Sequence, residues 1–233
     1  MCTVSIVPRA EGFRLVCNRD ELLSRPAALP PVRGTFGGVP VWHPLDPQGA
    51  GTWIAANGHG LVVALLNRQQ QFDPPDPSET GTSGKRSRGQ IVLALAGASG
   101  TEPLRAALGA IEPRHYPAFS LVAVVHCEVI VATSDSQRLS IDDLHLSTPF
   151  VLTSSSLSDS EAERRRLPLF DALVRGSGDS LAGQQAFHDH RWPDCSEFSV
   201  RMRRADARTV SRTVVDVIGR EVSLVYEPLP VEA

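Results

Sequence analysis

The chain has 233 residues, a formal net charge of −3, and 42% apolar against 21% charged residues, the balance of a globular protein long enough for a substantial core. Without a Lys/Arg-rich arm or stripe it is not built to hold nucleic acid, and no apolar run reaches the roughly 18 residues of a membrane span. Four scattered cysteines (Cys2, Cys17, Cys127 and Cys195) without CxxC spacing argue against a zinc site and a disulfide scaffold, and the first residues lack the segments of a secretory signal, so a cytoplasmic location is expected.

The chain opens on Met1-Cys2. Loss of Met1 would leave Cys2 with a free α-amine of pKa about 7.7–8.0 beside a thiol of about 8.5, a nucleophile carrying its own base. Alternating apolar residues predict strands over 3–7 and 13–19, joined by Ala10-Glu11-Gly12 as a three-residue loop with Gly12 left-handed. Pairing Arg9 with Phe13 sets Cys2 opposite Asp20, on one face with Cβ atoms about 4.5–5.5 Å apart. A one-residue slip places Arg19 there instead.

Residues 22–50, rich in proline and glycine, read as irregular. A strand over 51–56, an Asn57-Gly58 turn and a mate over 60–67 follow. The polar stretch 69–88 reads as a long, flexible loop, a lid or flap. Helices are predicted over 91–98 and 103–111, a hairpin over 119–125 and 128–133, and a short strand over 150–153. Ser158-x-x-Glu161 is a capping box opening a helix that runs to about residue 174, bent or split by Pro168. Arg164-Arg165-Arg166, behind Glu161 and Glu163, reads as a solvated face of it. A shorter helix over 181–188 precedes strands over 198–202, 208–217 and 221–226. Strands, central helices and strands again, without a repeat, predict one α+β domain spanning 1–233.

Met1-Cys2, Asn18-Arg19-Asp20-Glu21, Ser24-Arg25-Pro26, Gly51-Thr52-Trp53, Asn67-Arg68 and Ser87-Arg88-Gly89 together resemble the NRDE family, also called the transport and Golgi organisation family. Residues 116–121 match it more loosely, and the C-terminal half only in outline. The resemblance implies a branch of the N-terminal-nucleophile hydrolases: a four-layer αββα sandwich, two antiparallel sheets covered by helices. Relatives such as bile-salt hydrolases, penicillin V acylases and acid ceramidase cleave amides with an N-terminal cysteine. By that resemblance Cys2 is the nucleophile, Asp20 orients its amine beside Asn18, and Asn67 lines the oxyanion hole. Ser154 stands where those hydrolases keep a second asparagine, and Cys17 where they keep an arginine, a place Arg19 could fill from the opposite strand face to Asn18 and Asp20.

Arg19, Trp53 and Arg88 are the candidate substrate-binding residues. Trp53 also suits the core, and Arg25 and Arg88 suit anchoring as well as substrate contact. Glu21 reads as a surface or loop anchor. His188, His190 and Cys195 fit no standard metal spacing and read as solvated or helix-capping, so no metal is expected. The leading expectation is a cysteine amidohydrolase or acyltransferase acting on a small molecule without a cofactor. The alternative, from the family's links to haem handling and lipid metabolism, is a non-catalytic binding or trafficking protein, the one case in which haem is expected. The sequence leaves the oligomeric state open.

Overall fold

The computed structural model describes residues 2–69 and 85–230. Strands β1 (Cys2–Arg9) and β2 (Gly12–Leu22) form the expected hairpin, but its loop is only Ala10-Glu11 and Arg9 pairs with Gly12. Gly12 holds φ of 144°, and a Cβ there would lie 2.0 Å from the Val217 carbonyl oxygen, so only glycine fits where the chain turns against its neighbour. The shorter loop slips the whole strand by one residue, and Cys2 faces Arg19 rather than Asp20.

Residues 22–50 are not irregular throughout. They contain β3 (Leu29–Phe36) and β4 (Val39–Leu45), turned through Gly37 and Gly38 at φ of 58° and 82°. The prolines that hid β3 lie on an edge strand, where a missing N–H is tolerated, and the β3–β4 register shifts between Leu29 and Val32, across Pro30 and Pro31. Then come β5 (Ile54–Asn57) and β6 (Val62–Asn67), shorter than expected. The predicted loop falls mostly on residues 70–84, outside the described residues. Helices α1 (Gly89–Ala96) and α2 (Thr101–Gly109) lead to β7 (Phe119–Val125), β8 (Glu128–Ser134), the unpredicted β9 (Leu139–His145) and β10 (Phe150–Thr153).

Helix α3 (Asp159–Phe170) is capped as predicted, the Ser158 hydroxyl accepting from the Glu161 N–H. Pro168 does not break it; the chain widens into a π turn over Asp171–Arg175, a known outlet for helix irregularity. Helix α4 (Ser180–Asp189) follows, capped by Asp179. The predicted strand over 198–202 is absent: a 3-10 turn, Pro193–Phe198, runs into irregular chain with an isolated bridge between Arg203 and Arg208. Strands β11 (Ala207–Ile218) and β12 (Glu221–Pro228) close the chain.

The strands form two antiparallel sheets, one ordered β10-β1-β2-β11-β12 and the other β3 to β9 in chain order. Val4, Ile6, Phe13 and Leu15 meet Ile54, Val62 and Ala64 between the sheets. Helices α1 and α2 cover the outer face of the seven-stranded sheet through Ile91, Leu95 and Leu104. Helix α3, the π turn and α4 cover the other sheet through Phe170, Val174 and Phe187 against Val7 and Val151. This is the four-layer αββα sandwich. Along β1, Cys2, Val4 and Ile6 point between the sheets, while Thr3, Ser5 and Val7 point to the helices. Among the described residues no helix is long and apolar enough to cross a membrane.

Candidate active site

Cys2 starts an inner strand, held by β2 on one side and β10 on the other. Its carbonyl accepts from the Ser154 N–H at 3.0 Å and its own nitrogen donates to Ser154 Oγ at 3.2 Å. Both ends of the Cys2 backbone are therefore fixed by one residue just past β10. The side chain points into the inter-sheet core, 5% exposed. Cys17 lies diagonally across on the same face, since it pairs with Val4. Its hydrogen bond to the Cys2 sulfur lowers the Cys2 thiol below its ordinary pKa, against burial, which raises it; the same bond and burial push Cys17 well up. Of two adjacent buried thiols, Cys2 is thus the one disposed to ionise. Met1 lies outside the described residues.

Asp20, 2% exposed, faces the helix layer, accepting from Thr209 Oγ1 at 2.6 Å where the β2–β11 ladder is bulged. Burial raises its pKa, and the foremost opposing influence is the Arg166 guanidinium. Arg166 corrects the reading of the three-arginine run. Arg164 and Arg165 are surface partners of Glu161, but Arg166 is 1% exposed. It donates to Thr3 and Thr153 Oγ1 at 2.9 and 2.6 Å, to the carbonyls of Phe198 and Ser199 at 3.0 and 2.9 Å, and to that of Ser154 at 3.4 Å. A buried cation thus sits behind the Cys2 end of the sheet. The sequence holds the signal: Ala162, Arg166, Phe170 and Val174, spaced by four, are all buried.

Asn18 is buried on the helix side, donating to the carbonyls of His188 and Val200 at 2.8 and 3.1 Å, and so ties the helix layer to β2 away from the Cys2 side chain. His188, expected solvated or capping, is fully buried and bonded to Ser5 Oγ at 2.7 Å; it closes the last turn of α4 against the polar outer face of β1. Among the described residues no group of three or more His, Cys, Asp or Glu side chains could hold a metal.

Asn67 ends β6, exposed. Leu65 N donates to the Trp53 carbonyl and Arg68 N to that of Ala118, so ladder alternation aims the Asn67 N–H toward the β5 side, level with residues before β5 begins. Alternation puts its side chain on the α1 side with Val63 and Leu65, whereas Leu66 shares the inter-sheet core with Cys2. Beside Cys2 on β2, Arg19 lies 4.2 Å above the ring of Trp53, and Trp53, 7% exposed, keeps a buried Nε1 without a partner. Arg19 also pairs with Glu21 at 2.9 Å, and Arg25 with Glu21 and Asp46 at 3.3 and 2.5 Å, so Glu21 and Arg25 anchor the chain after β2. Arg88 donates to the Ala118 carbonyl at 2.7 Å; burial pulls its pKa down to about 10, partly offset by Cys2 and Glu21. Gly51 and Gly89 explain why two separate motifs carry glycine. A Cβ on Gly51 would meet Gly89 backbone at 2.5 Å, and the Thr52 N–H bonds the Gly89 carbonyl there.

The transport and Golgi organisation 2 family matches residues 1–187. The chain belongs to this family. No curated protein matches the sequence, but solved structures match the fold. An N-acylethanolamine-hydrolyzing acid amidase ortholog from Caenorhabditis elegans superposes with a TM-score of 0.62 at 13% identity, over 91% of this chain and 92% of that one. A mutant of the conjugated bile acid hydrolase from Clostridium perfringens, with alanine in place of its second-position cysteine, gives 0.55 at 12%, over 100% and 97%. An arginine-to-leucine variant of the same hydrolase gives 0.51 at 13%, over 96% and 92%. This transport and Golgi organisation 2 chain has the N-terminal-nucleophile hydrolase fold.

Proposed function

We propose that this chain is an N-terminal cysteine hydrolase of carbon–nitrogen amide bonds, acting on a small molecule through an acyl-enzyme at Cys2. One observation carries the reading: a cysteine at the second position, starting an inner strand, its nitrogen held 3.2 Å from Ser154 Oγ and its carbonyl 3.0 Å from the Ser154 N–H. Removal of Met1 turns that nitrogen into an amine. The amine takes the thiol proton, and the sulfur attacks the amide carbon as the C=O pair moves to oxygen. The oxyanion collapses, the C–N bond breaks, and the leaving nitrogen takes the proton from the amine. Water then cleaves the thioester, returning a proton to sulfur.

The direction of the Asn67 N–H supports its use as a donor to the oxyanion, a contribution of about 2.7–4 kcal/mol when such a donor is in place. Asp20 and Arg166 fix the charge behind the amine, and Arg19, Trp53 and Arg88 surround the approach. The neighbours' descriptions as an acid amidase and a bile acid hydrolase, the latter with its second-position cysteine replaced, agree with the reading. Intact-mass spectrometry is the test. Met1 should be missing, and an electrophilic acyl probe should add one acyl group at Cys2, lost in a Cys2→Ala variant that melts like the parent. Retained Met1, or equal labelling of Cys2→Ala, refutes the mechanism.

A further inference from the structure

We infer that the rim of the five-stranded sheet carries a site for a small anionic group, which receives the acidic end of the substrate. The anion site stands on its own geometry; its use for substrate rests on the hydrolase reading. A cavity of 410 Å³ lies between Leu23, Ser196, Arg203, Arg204, Ala205 and Arg208, within the size range of small-molecule sites. Three guanidinium groups line it. Of the three, Arg204 alone has an ion pair among the described residues, with Asp206 at 3.1 Å from its Nε; Asp206 is 65% exposed, so water weakens that compensation, and the buried Asp20 acts on Arg204 as well.

The remaining bonds go to neutral acceptors. Arg204 Nη1 donates to Ser156 Oγ at 3.1 Å, and Arg208 Nη1 to the carbonyls of Leu229 and Pro230 at 2.8 and 2.9 Å. These fix the side chains without cancelling their charge. Arg208 Nε is buried and unpartnered, and Arg203 is exposed with no ion pair among the described residues. The walls are set by main chain: Leu23 N bonds the Asp206 carbonyl, Arg203 N that of Ser196, and Arg204 N that of Ala207. A fixed fork of guanidinium donors suits a carboxylate, sulfonate or phosphate oxygen pair.

The register places this site relative to the nucleophile. Arg208 pairs with Glu21 and Cys2 with Arg19, so the two backbones are two strands and two residues apart, about 12 Å at ordinary sheet spacings. That separation suits an amide whose acid lies several atoms away from the scissile bond.

Calorimetry on Cys2→Ala protein, which cannot turn over, tests this with N-acetyl-6-aminohexanoate and its methyl ester at fixed ionic strength. The acid should bind at least about 10-fold more tightly than the ester, and inorganic phosphate should compete with it. Arg203→Gln, an exposed change, should cut the preference at least about fivefold without altering the melt, and Arg208→Gln should abolish it. Equal binding of acid and ester, no binding of either, or a preference untouched by Arg203→Gln overturns the site. Phosphate binding tighter than the acid reassigns it to free anions and overturns the substrate role. Because Cys2 is absent from this assay, its failure leaves the acyl-labelling result standing, and the reverse.

Discussion

Arg166→Met is the most informative single change. Methionine nearly fills the arginine's volume but supplies none of its donors, leaving Thr3, Thr153 and three carbonyls around an almost fully buried side chain short of a partner. It also strips Asp20 of the foremost charge opposing its desolvation. Losing one member of a buried charge system costs about 3–5 kcal/mol, or a fall in Tm of about 10 °C for a chain of this size. The pH dependence separates the two contributions. Burial raises the folded pKa of Asp20 above its unfolded value, so its ionisation costs stability as pH climbs from about 3.9 through the raised value. Removing Arg166 lifts that value further. The variant's deficit should therefore be smaller toward pH 4, where protonation of Asp20 relieves the cost, and larger near pH 8. Calorimetric melts across this range measure it, and adding Asp20→Asn should erase the pH-dependent part. A deficit that is flat with pH, or larger in acid, would refute the coupling of Arg166 to Asp20.

Cys17→Ala removes the hydrogen bond that most lowers Cys2; site-resolved iodoacetamide labelling should show the Cys2 alkylation midpoint moving to higher pH. Gly51→Ala drives a Cβ to 2.5 Å from Gly89 backbone and should cost about 1–3 kcal/mol as overpacking, read from the urea midpoint at unchanged m. Burial first, then Arg212 and Arg166, holds His188 well below its ordinary pKa. Below about pH 6.5 the unfolded chain takes up a proton that the folded one refuses, so stability falls with acid; His188→Gln should flatten the stability–pH slope between pH 6.5 and 4.5. Ser154→Ala loses the acceptor of the Cys2 nitrogen and should slow acyl labelling of Cys2 with a Tm change of only a few degrees.

Period-two alternation revealed the central strands, and the capping box marked the start of α3, because each signal is local and physically obligatory. The hairpin register was harder to read. A two- and a three-residue loop both place Gly12 at the turn, and what selects the shorter is the Val217 backbone pressed against it, far along the chain. That one-residue slip moved Asp20 to the far face from the Cys2 side chain. β3 was hidden because its prolines are tolerated only at an edge, a property of topology. The strand predicted over 198–202 had the composition but no neighbouring ladder to join. Arg166 departs from the rule that a charge run faces water, because its place in the buried 162–166–170–174 stripe outweighs it.

The inner position of β1 also orders assembly. Thr3 pairs with Thr153, 150 residues away, and β2 pairs with β11 near the end of the chain. Such distant closures form slowly, and synthesis delivers the partners long after the first strand has emerged. The nitrogen of Cys2 therefore meets Ser154, 152 residues further on, only late in assembly. A chain cut short of β10 leaves one edge of β1 bare, a template for pairing with another chain.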